Sequence, residues 1–269
     1  AAREQVKFII PVIKGALAEA GAKINNIDSI AVTYGPGLVG SLLIGIETAK
    51  TLSYNYSKPL IPINHLLGHI YANFIELNAN IEFPAIGLIV SGGHTDLVLM
   101  KGHGSIRWLG GTRDDAAGEA FDKIGRLLGL PYPGGPYIER AAKKGNPKRY
   151  NFPSPLINSN DFDFSFSGLK TAVFREISKL NTLDEQTVND ISASVQTAII
   201  DVLVKKTIKA AEKYNAKSIL LGGGVAANQA LRNRLELDAK RYTLNAEIFA
   251  PAKNLCTDNA AMIASAAFF

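Results

Sequence analysis

The stretch that decides the fold is SIAVTYGPGLVGSLLIGIETAKTLSYNYSKPLIPINHLLGH, residues 29–69. It opens on a β-branched run, SIAVTY (29–34), cut off by Gly35-Pro36-Gly37. GSLLIGIETAKTLSYNY (40–56) then carries apolar residues at helical spacing, and PLIPI (59–63) reads as a second strand. A strand–helix–strand unit of this kind belongs to an α/β fold, where ligand sites gather just past the strand ends. Just past this second strand stands NHLLGH (64–69). His65 and His69 are four residues apart, so on a helix both imidazoles lie on one face and can grip a metal ion from there. The metalloprotease motif of the same spacing, H-E-x-x-H, places a general base directly after the first histidine. Here that residue is Leu66. The bland alternative is a helix with two partly buried histidines.

Working outward, AREQVKFIIPVIKGALAEA (2–20) has helical period, with Pro11 as an expected kink. A polar stretch at 76–82 is followed by AIGLIVSGGHTDLVLMK (85–101), two apolar strands flanking Gly92-Gly93-His94 as a hairpin. RDDAAGEAFDKIGRLLGL (113–130) predicts a helix, broken by PYPGGP (131–136). Residues 144–168, rich in Asn, Pro, Ser and aromatics, predict a long surface excursion. ISASVQTAIIDVLVKKTIKAAEKY (191–214) predicts an amphipathic helix, SILLGGG (218–224) a strand, VAANQALRNRLELDAK (225–240) a helix, AEIFAP (246–251) a strand and CTDNAAMIASAAFF (256–269) a last apolar helix. The expected division is 1–84 for an N-terminal lobe, 85–251 for a C-terminal lobe and 252–269 for a closing helix.

The 269 residues are 47% hydrophobic and 20% charged, enough for one large α/β domain or two lobes. A net charge of +5 fits an anionic partner without requiring one. Cys256 is the sole cysteine, which excludes a disulfide framework and points to a reducing compartment. No apolar run approaches the roughly 18 residues of a membrane span. The chain opens without Met inside helix-like sequence and ends at SAAFF, which reads as a fragment.

Several groups could carry chemistry. Asp258 is a candidate third metal ligand, although Thr257 or Asp258 would equally cap the last helix. Cys256 is a soft ligand, a nucleophile or a small buried hydrophobe. The glycines of SGGHT leave backbone N–H groups that suit a phosphate, or simply make a tight turn. GGGVAAN (222–228) opens a helix, whose N-terminus favours an anion. Gly222, Gly224 and Ala227 have dinucleotide-fold spacing, but the acid expected at the end of the next strand is absent, so a nicotinamide cofactor is disfavoured. Asp115, Glu119 and Asp122 fall on one helical stripe that needs solvent, hydroxyls, amines or a metal, and Gly118 among them hints at close packing.

AVTYGPGLVGSLLIGIETAKTL, NHLLGH, IVSGGHTDLV, DDAAGEAFDKIGRLLGLPYPGGP, FSFSGLKTA, GGGVAAN and CTDNAAMIA together resemble, in order and across the whole chain, the TsaD family of tRNA adenosine threonylcarbamoyltransferases. SGGHT is similar to the bacterial and organellar branch. The resemblance implies an actin, sugar-kinase and Hsp70-like fold of two α/β lobes, lacking here the family's opening strand and phosphate loop. It implies transfer of a threonylcarbamoyl group from threonylcarbamoyl-adenylate to N6 of adenosine 37 in tRNAs reading ANN codons. It assigns His65, His69 and Asp258 to a divalent metal, iron or zinc. Archaeal relatives add a tyrosine where this chain has Ile89. Ile89, Val90, Ser91, Gly92 and Gly93 would line the donor's phosphate and acyl part, and Asp122, Gly135 and Asn228 would hold its adenosine. Implied partners are tRNA with either a paralogous dimer partner and a small ATPase or a second copy of the chain, in the cytoplasm or alternatively in mitochondria, with no membrane. Lys143, Lys144, Lys148 and Arg149, in KKGNPKRY, are candidate tRNA contacts or a solvated loop. Because the donor is already an activated mixed anhydride, the missing glutamate after His65 is compatible with a transferase and counts against a peptidase. A non-catalytic nucleotide-binding scaffold is the remaining alternative; scaffold paralogues lack the histidine pair.

Overall fold

A computed structural model describes residues 2–75 and 80–269, so residues 76–79 of the polar stretch 76–82 lie outside the described residues. The chain divides into two compact units, Ala1–Ile75 with Asn259–Phe269, and Glu76–Asp258. The last helix therefore joins the first unit and is not a separate closing segment, while residues 252–258 stay with the second.

In the first unit, α1 (Ala2–Glu19) runs through Pro11 without a break. β1 (Ile30–Gly35) and β2 (Leu60–Asn64) pair in parallel, Ile30 opposite Leu60, and α2 (Val39–Tyr56) makes the crossover. A parallel pair needs such a connection, since a tight turn cannot reverse the chain twice. β2 passes directly into α3 (His65–Tyr71) because Asn64 caps it, its Oδ1 accepting from Leu66 N at 2.9 Å. The final helix, α9 (Ala260–Phe268), packs Met262 and Ile263 with Ile63 and Ala72. Gly68 lets α3 come this close: a Cβ there would lie 2.7 Å from Ile263 Cδ1. The Ser265 hydroxyl donates to Tyr71 O at 2.8 Å, a second tie between the two helices. The cap of α9 is Asn259, accepting from Met262 N at 2.8 Å, and not Thr257 or Asp258 as the sequence suggested.

The second unit is built on a mixed five-stranded sheet. β3 (Ala85–Val90) and β4 (Thr95–Gly102) form the expected antiparallel hairpin, and β6 (Ser218–Gly222) and β7 (Glu247–Phe249) add in parallel on the other side of β3. β3 is buried at all six positions, as a central strand with both faces covered must be. The edge strand β5 (Ser105–Gly111) is not marked as a strand by SIRWLGG, because the polar–apolar alternation of Ser105 to Trp108 breaks at Leu109, where its pairing with β4 also shifts register, and two glycines follow.

The helices depart from expectation in instructive ways. α4 spans only Ala117–Leu127, so Asp114 and Asp115 precede it and the carboxylate stripe does not exist as drawn. Lys123 neutralises Asp115 at 2.7 Å and Glu119 at 2.9 Å instead. PYPGGP does not merely break a helix; it starts α5 (Gly134–Ala142). The stretch 144–168 is irregular yet not superficial, because Phe152, Phe162, Phe164 and Phe166 are buried in the core. Those aromatics gave no period because they hang from a loop, yet they carry the burial that holds it. Asp114 ties this loop down: its oxygens accept from Phe166 N (2.7 Å), Ser167 N, Ser165 Oγ and Ser167 Oγ, which caps α6 (Ser167–Ile177). Burial raises the Asp114 pKa, but these four bonds outweigh it and hold the carboxyl below its ordinary value. α7 (Glu185–Lys213) begins six residues earlier than expected, at an Asp184 cap, and is buried around most of its circumference. Its Lys206, 1% exposed, reaches Ser159 Oγ at 2.7 Å and Asp161 Oδ1 at 3.2 Å. α8 is Gln229–Arg241, preceded by a 3-10 turn over Gly224–Ala227.

Candidate active site

Within the second unit, a cavity of about 290 Å³ opens where β3 and β6 end. Gly92, from the turn after β3, and Gly224, Val225 and Ala227, from the turn after β6, make one wall. Phe121 and Asp122 of α4, Gly135 and Glu139 of α5, and Asn228 make the other. The parallel pairing of β3 with β6, Ile89 opposite Gly222, brings two turns 130 residues apart to the same edge. Their approach requires glycine. Gly223 adopts φ +92° with Val90 O against the place of a Cβ, and a Cβ on Gly118 would stand 2.5 Å from Ser91 O.

Four residues expected to bind the donor, Gly92, Asp122, Gly135 and Asn228, line this cavity. The others do not. Ile89 and Val90 are fully buried in the sheet, and Ser91 closes its own turn, its Oγ accepting from His94 N at 3.1 Å and Gly93 N at 3.4 Å. SGGHT is therefore a less open nest than its glycines suggested, with Gly92 as its pocket-lining residue. The same correction applies to GGGVAAN. The N-terminus of α8 is already filled, Gln229 N by Glu139 Oε1 at 2.9 Å and Leu231 N by Asn228 Oδ1 at 3.0 Å. The 3-10 turn uses Ala226 N and Asn228 N internally, while Gly224, Val225 and Ala227 line the cavity.

Two carboxylates reach the cavity. Asp122 places Oδ1 on Gly134 N at 2.7 Å, which fixes the first turn of α5. Glu139 was not anticipated, since α5 was not; once the helix is known, Gly135 and Glu139 lie one turn apart on one face. Asn228, 8% exposed, uses Nδ2 on Gln196 Oε1 at 2.9 Å besides its cap, so its side chain is committed to the wall. Arg232 holds that wall to the segment before Asp258, donating to Ala226 O (2.6 Å), Pro251 O (2.9 Å) and Cys256 Sγ (3.3 Å). Cys256 is fully buried, and burial pushes its thiol up despite Arg232. It is a packing residue, not a nucleophile.

In the first unit, His65 and His69 share one face of α3, ring centroids 4.7 Å apart and edge to face, with His69 buried. Asp258 stands immediately before Asn259, the cap of α9. Lys143, Lys144, Lys148 and Arg149 are exposed on the loop leaving α5.

The family model for TsaD, tRNA N6-adenosine threonylcarbamoyltransferase, matches residues 1–265. The chain belongs to the TsaD family. A tRNA N6-adenosine threonylcarbamoyltransferase of Moorella thermoacetica is 51% identical over 271 residues, covering 100% of this chain and 78% of that protein. The enzyme of the same name from Listeria welshimeri is 50% identical over 267 residues, covering 99% and 77%. The activity is accordingly that of a TsaD transferase, threonylcarbamoylation of adenosine in tRNA, and the peptidase and scaffold alternatives fall away. Solved structures give the fold independently. HypF of T. kodakarensis superposes with a TM-score of 0.71 at 15% identity, over 96% of this chain and 43% of HypF. A second HypF, in a phosphate- and nucleotide-bound form, superposes at 0.69 and 13% identity, over 97% and 49%. Among the described residues, no helix of this TsaD protein is long and apolar enough to cross a membrane.

Proposed function

We propose that the cavity holds the adenosine part of threonylcarbamoyl-adenylate and that the chain passes its threonylcarbamoyl group to N6 of adenosine 37 in tRNAs reading ANN codons. The observation that carries this reading is the cavity itself: about 290 Å³, at the small end of ligand pockets and suited to a nucleoside, with two carboxylates and two glycine turns around it. Asp122 and Glu139 accept from ribose hydroxyls, while the N–H groups of Gly92, Gly224 and Val225 face the phosphate. In the transfer, the N6–carbonyl bond forms, the carbonyl–phosphate oxygen bond breaks with its electron pair leaving on AMP, and N6 gives its proton to solvent. The donor is activated already, so the chain's task is to exclude water from the anhydride and hold N6 against the carbonyl.

His65, His69 and Asp258 are the proposed ligands of a divalent metal, zinc or iron(II). The donor set fits: two imidazoles and one carboxylate suit either ion. His65 and His69 lie on one helix face, and α9, whose cap follows Asp258, is packed on that same helix. When bound, the ion supplies Lewis-acid polarisation of donor oxygens. Exposed Lys143, Lys144, Lys148 and Arg149 contact tRNA phosphates in this reading. A paralogous dimer partner and a small ATPase assist in a bacterial cytoplasm, which a single buried cysteine suits; a homodimer is the organellar alternative.

The test supplies donor labelled in its threonine, tRNA carrying A37 and cognate partner proteins. Label in the tRNA with wild type and its loss in His69→Ala, which also loses bound metal, is the expected result. No label with wild type, donor intact, refutes the reading.

A further inference from the structure

A tRNA needs far more surface than a nucleoside pocket, and the second unit carries a groove made for one. Residues 151–152, α6 and the two residues after it enclose a cavity of about 590 Å³, whose lining includes Phe152, Phe174, Arg175, Glu176 and Lys179. We propose that this groove is an RNA-binding site that seats a stretch of tRNA backbone and stacks one splayed base on Phe174. The inference rests on tRNA being the substrate and gives it a place on the molecule.

Three observations converge. The first is charge. The loop contributes Lys143, Lys144, Lys148 and Arg149, α6 contributes Lys170 and Arg175, and Lys179 follows just after it, all exposed. The carboxylates near them are engaged: Glu176 with Lys179 at 2.6 Å, Glu185 with Lys144 at 3.4 Å, Asp184 as the α7 cap and Asp190 on Asn146 N at 2.7 Å. Seven cations against four engaged carboxylates leave a positive face, which selects a polyanion.

The second is Phe174. It is 55% exposed, while Leu169 and Val173 fill the buried face of the same helix. Lys170 lies one turn before it and Arg175 beside it. An aromatic ring bared among cations is a stacking platform for a nucleobase, not a core residue displaced.

The third is rigidity. The loop backbone is pinned to α7 by Asn146 N on Asp190 and by Tyr150 N on Ser194 Oγ at 3.3 Å, and it is braced internally by Arg149 N on Asn146 O at 3.1 Å. Gly145 sits against the Asn189 backbone with no room for a Cβ. The cations are thus held out on a fixed frame, so little ordering cost falls on binding.

The experiment follows binding of fluorescent tRNA to the chain by anisotropy across a salt series. Phe174→Ala is expected to weaken binding about tenfold, Phe174→Trp to preserve it and Phe174→Leu to match the alanine variant, because an aliphatic side chain cannot stack. Arg175→Gln with Lys179→Gln should lower the slope of log Kd against log salt by about 2. Adenylate binding should stay at the wild-type level, since none of these residues lines its pocket. Full affinity in Phe174→Leu would mean that no base stacks there and would overturn the proposal. So would α6 variants with wild-type affinity and slope. In that case, a reduced slope in Lys148→Gln with Arg149→Gln would leave the loop contacts standing while the groove falls. Failure of wild type to bind tRNA would overturn both.

Discussion

Replacing Gly118 by alanine sets two backbone effects against each other. Alanine is favoured over glycine inside a helix by about 1 kcal/mol. Here, however, the new Cβ would lie 2.5 Å from Ser91 O, 2.7 Å from Ser91 C and 2.9 Å from Gly92 Cα. All three are backbone atoms, so no rotamer change relieves them. To reach even 3.0 Å, α4 or the glycine turn must retreat about half an ångström, a form of overpacking that costs about 1–3 kcal/mol. The clash wins by up to about 2 kcal/mol, which lowers Tm by up to about 8 °C in a unit of this size. The retreat also loosens the Gly118 N to Ser91 O bond (3.1 Å) and moves Gly92, and both glycines line the cavity. Because misplacement by about 1 Å can cost two orders of magnitude in rate, half of it should slow threonylcarbamoyl transfer about tenfold. Thermal melts and initial rates of label transfer to tRNA measure both quantities. A higher Tm with an unchanged rate would show that helix propensity alone governs the site, and the packing argument would be refuted.

Three other outcomes follow from the same contacts. His65→Ala and His69→Ala should each lose most bound zinc or iron by mass spectrometry while keeping the wild-type melting profile of the second unit; full metal retention would disprove the ligand assignment. Asn228→Ala removes a helix cap and strands the amide oxygen of buried Gln196, which should cost about 2 kcal/mol in a urea titration; a change under about 0.5 kcal/mol would show that the side chain serves the ligand instead. In acid, the Ser159 hydroxyl leads in holding Asp161 down to about 2, with burial opposing it and Lys206 and the Asp163 N–H assisting, and Asp114 is held low as well. Both groups sit below their unfolded value near 3.9, so the unfolded chain protonates first; their stabilisation is complete above about pH 4 and is lost in acid, that of Asp161 as pH falls through about 2 and that of Asp114 as pH falls through its own lowered value. Urea midpoints between about pH 5 and 2 should decline, less steeply in Asp161→Asn than in wild type, and equal slopes would contradict the network.

Periodicity in the sequence was enough to place β1, α2, β2, the histidine helix, the β3–β4 hairpin and the β6 strand, because each is a local pattern of apolar spacing bounded by Gly, Pro or Asn. The ordered motifs were enough for the family, since they are local too. What escaped was non-local. Asp114 and Asp115 looked helical because DDAAGEAFDK has helical composition throughout, but Asp114 is drawn out by hydroxyls and amides about fifty residues away. Phe152, Phe162, Phe164 and Phe166 looked like surface loop because an irregular backbone has no period, although it can still bury aromatic rings. Glu139 was hidden in a nine-residue helix too short to announce itself. Asn228 and Ser91 had the residue types of ligand contacts, and the fold engaged them as a cap and a turn lock. Sequence by itself determined the strongly periodic elements and, through its ordered motifs, the family. Only the tertiary structure decided which donors remain for a ligand, because a hydrogen bond made within the protein is no longer available to a substrate, and that accounting exists only once distant residues have met.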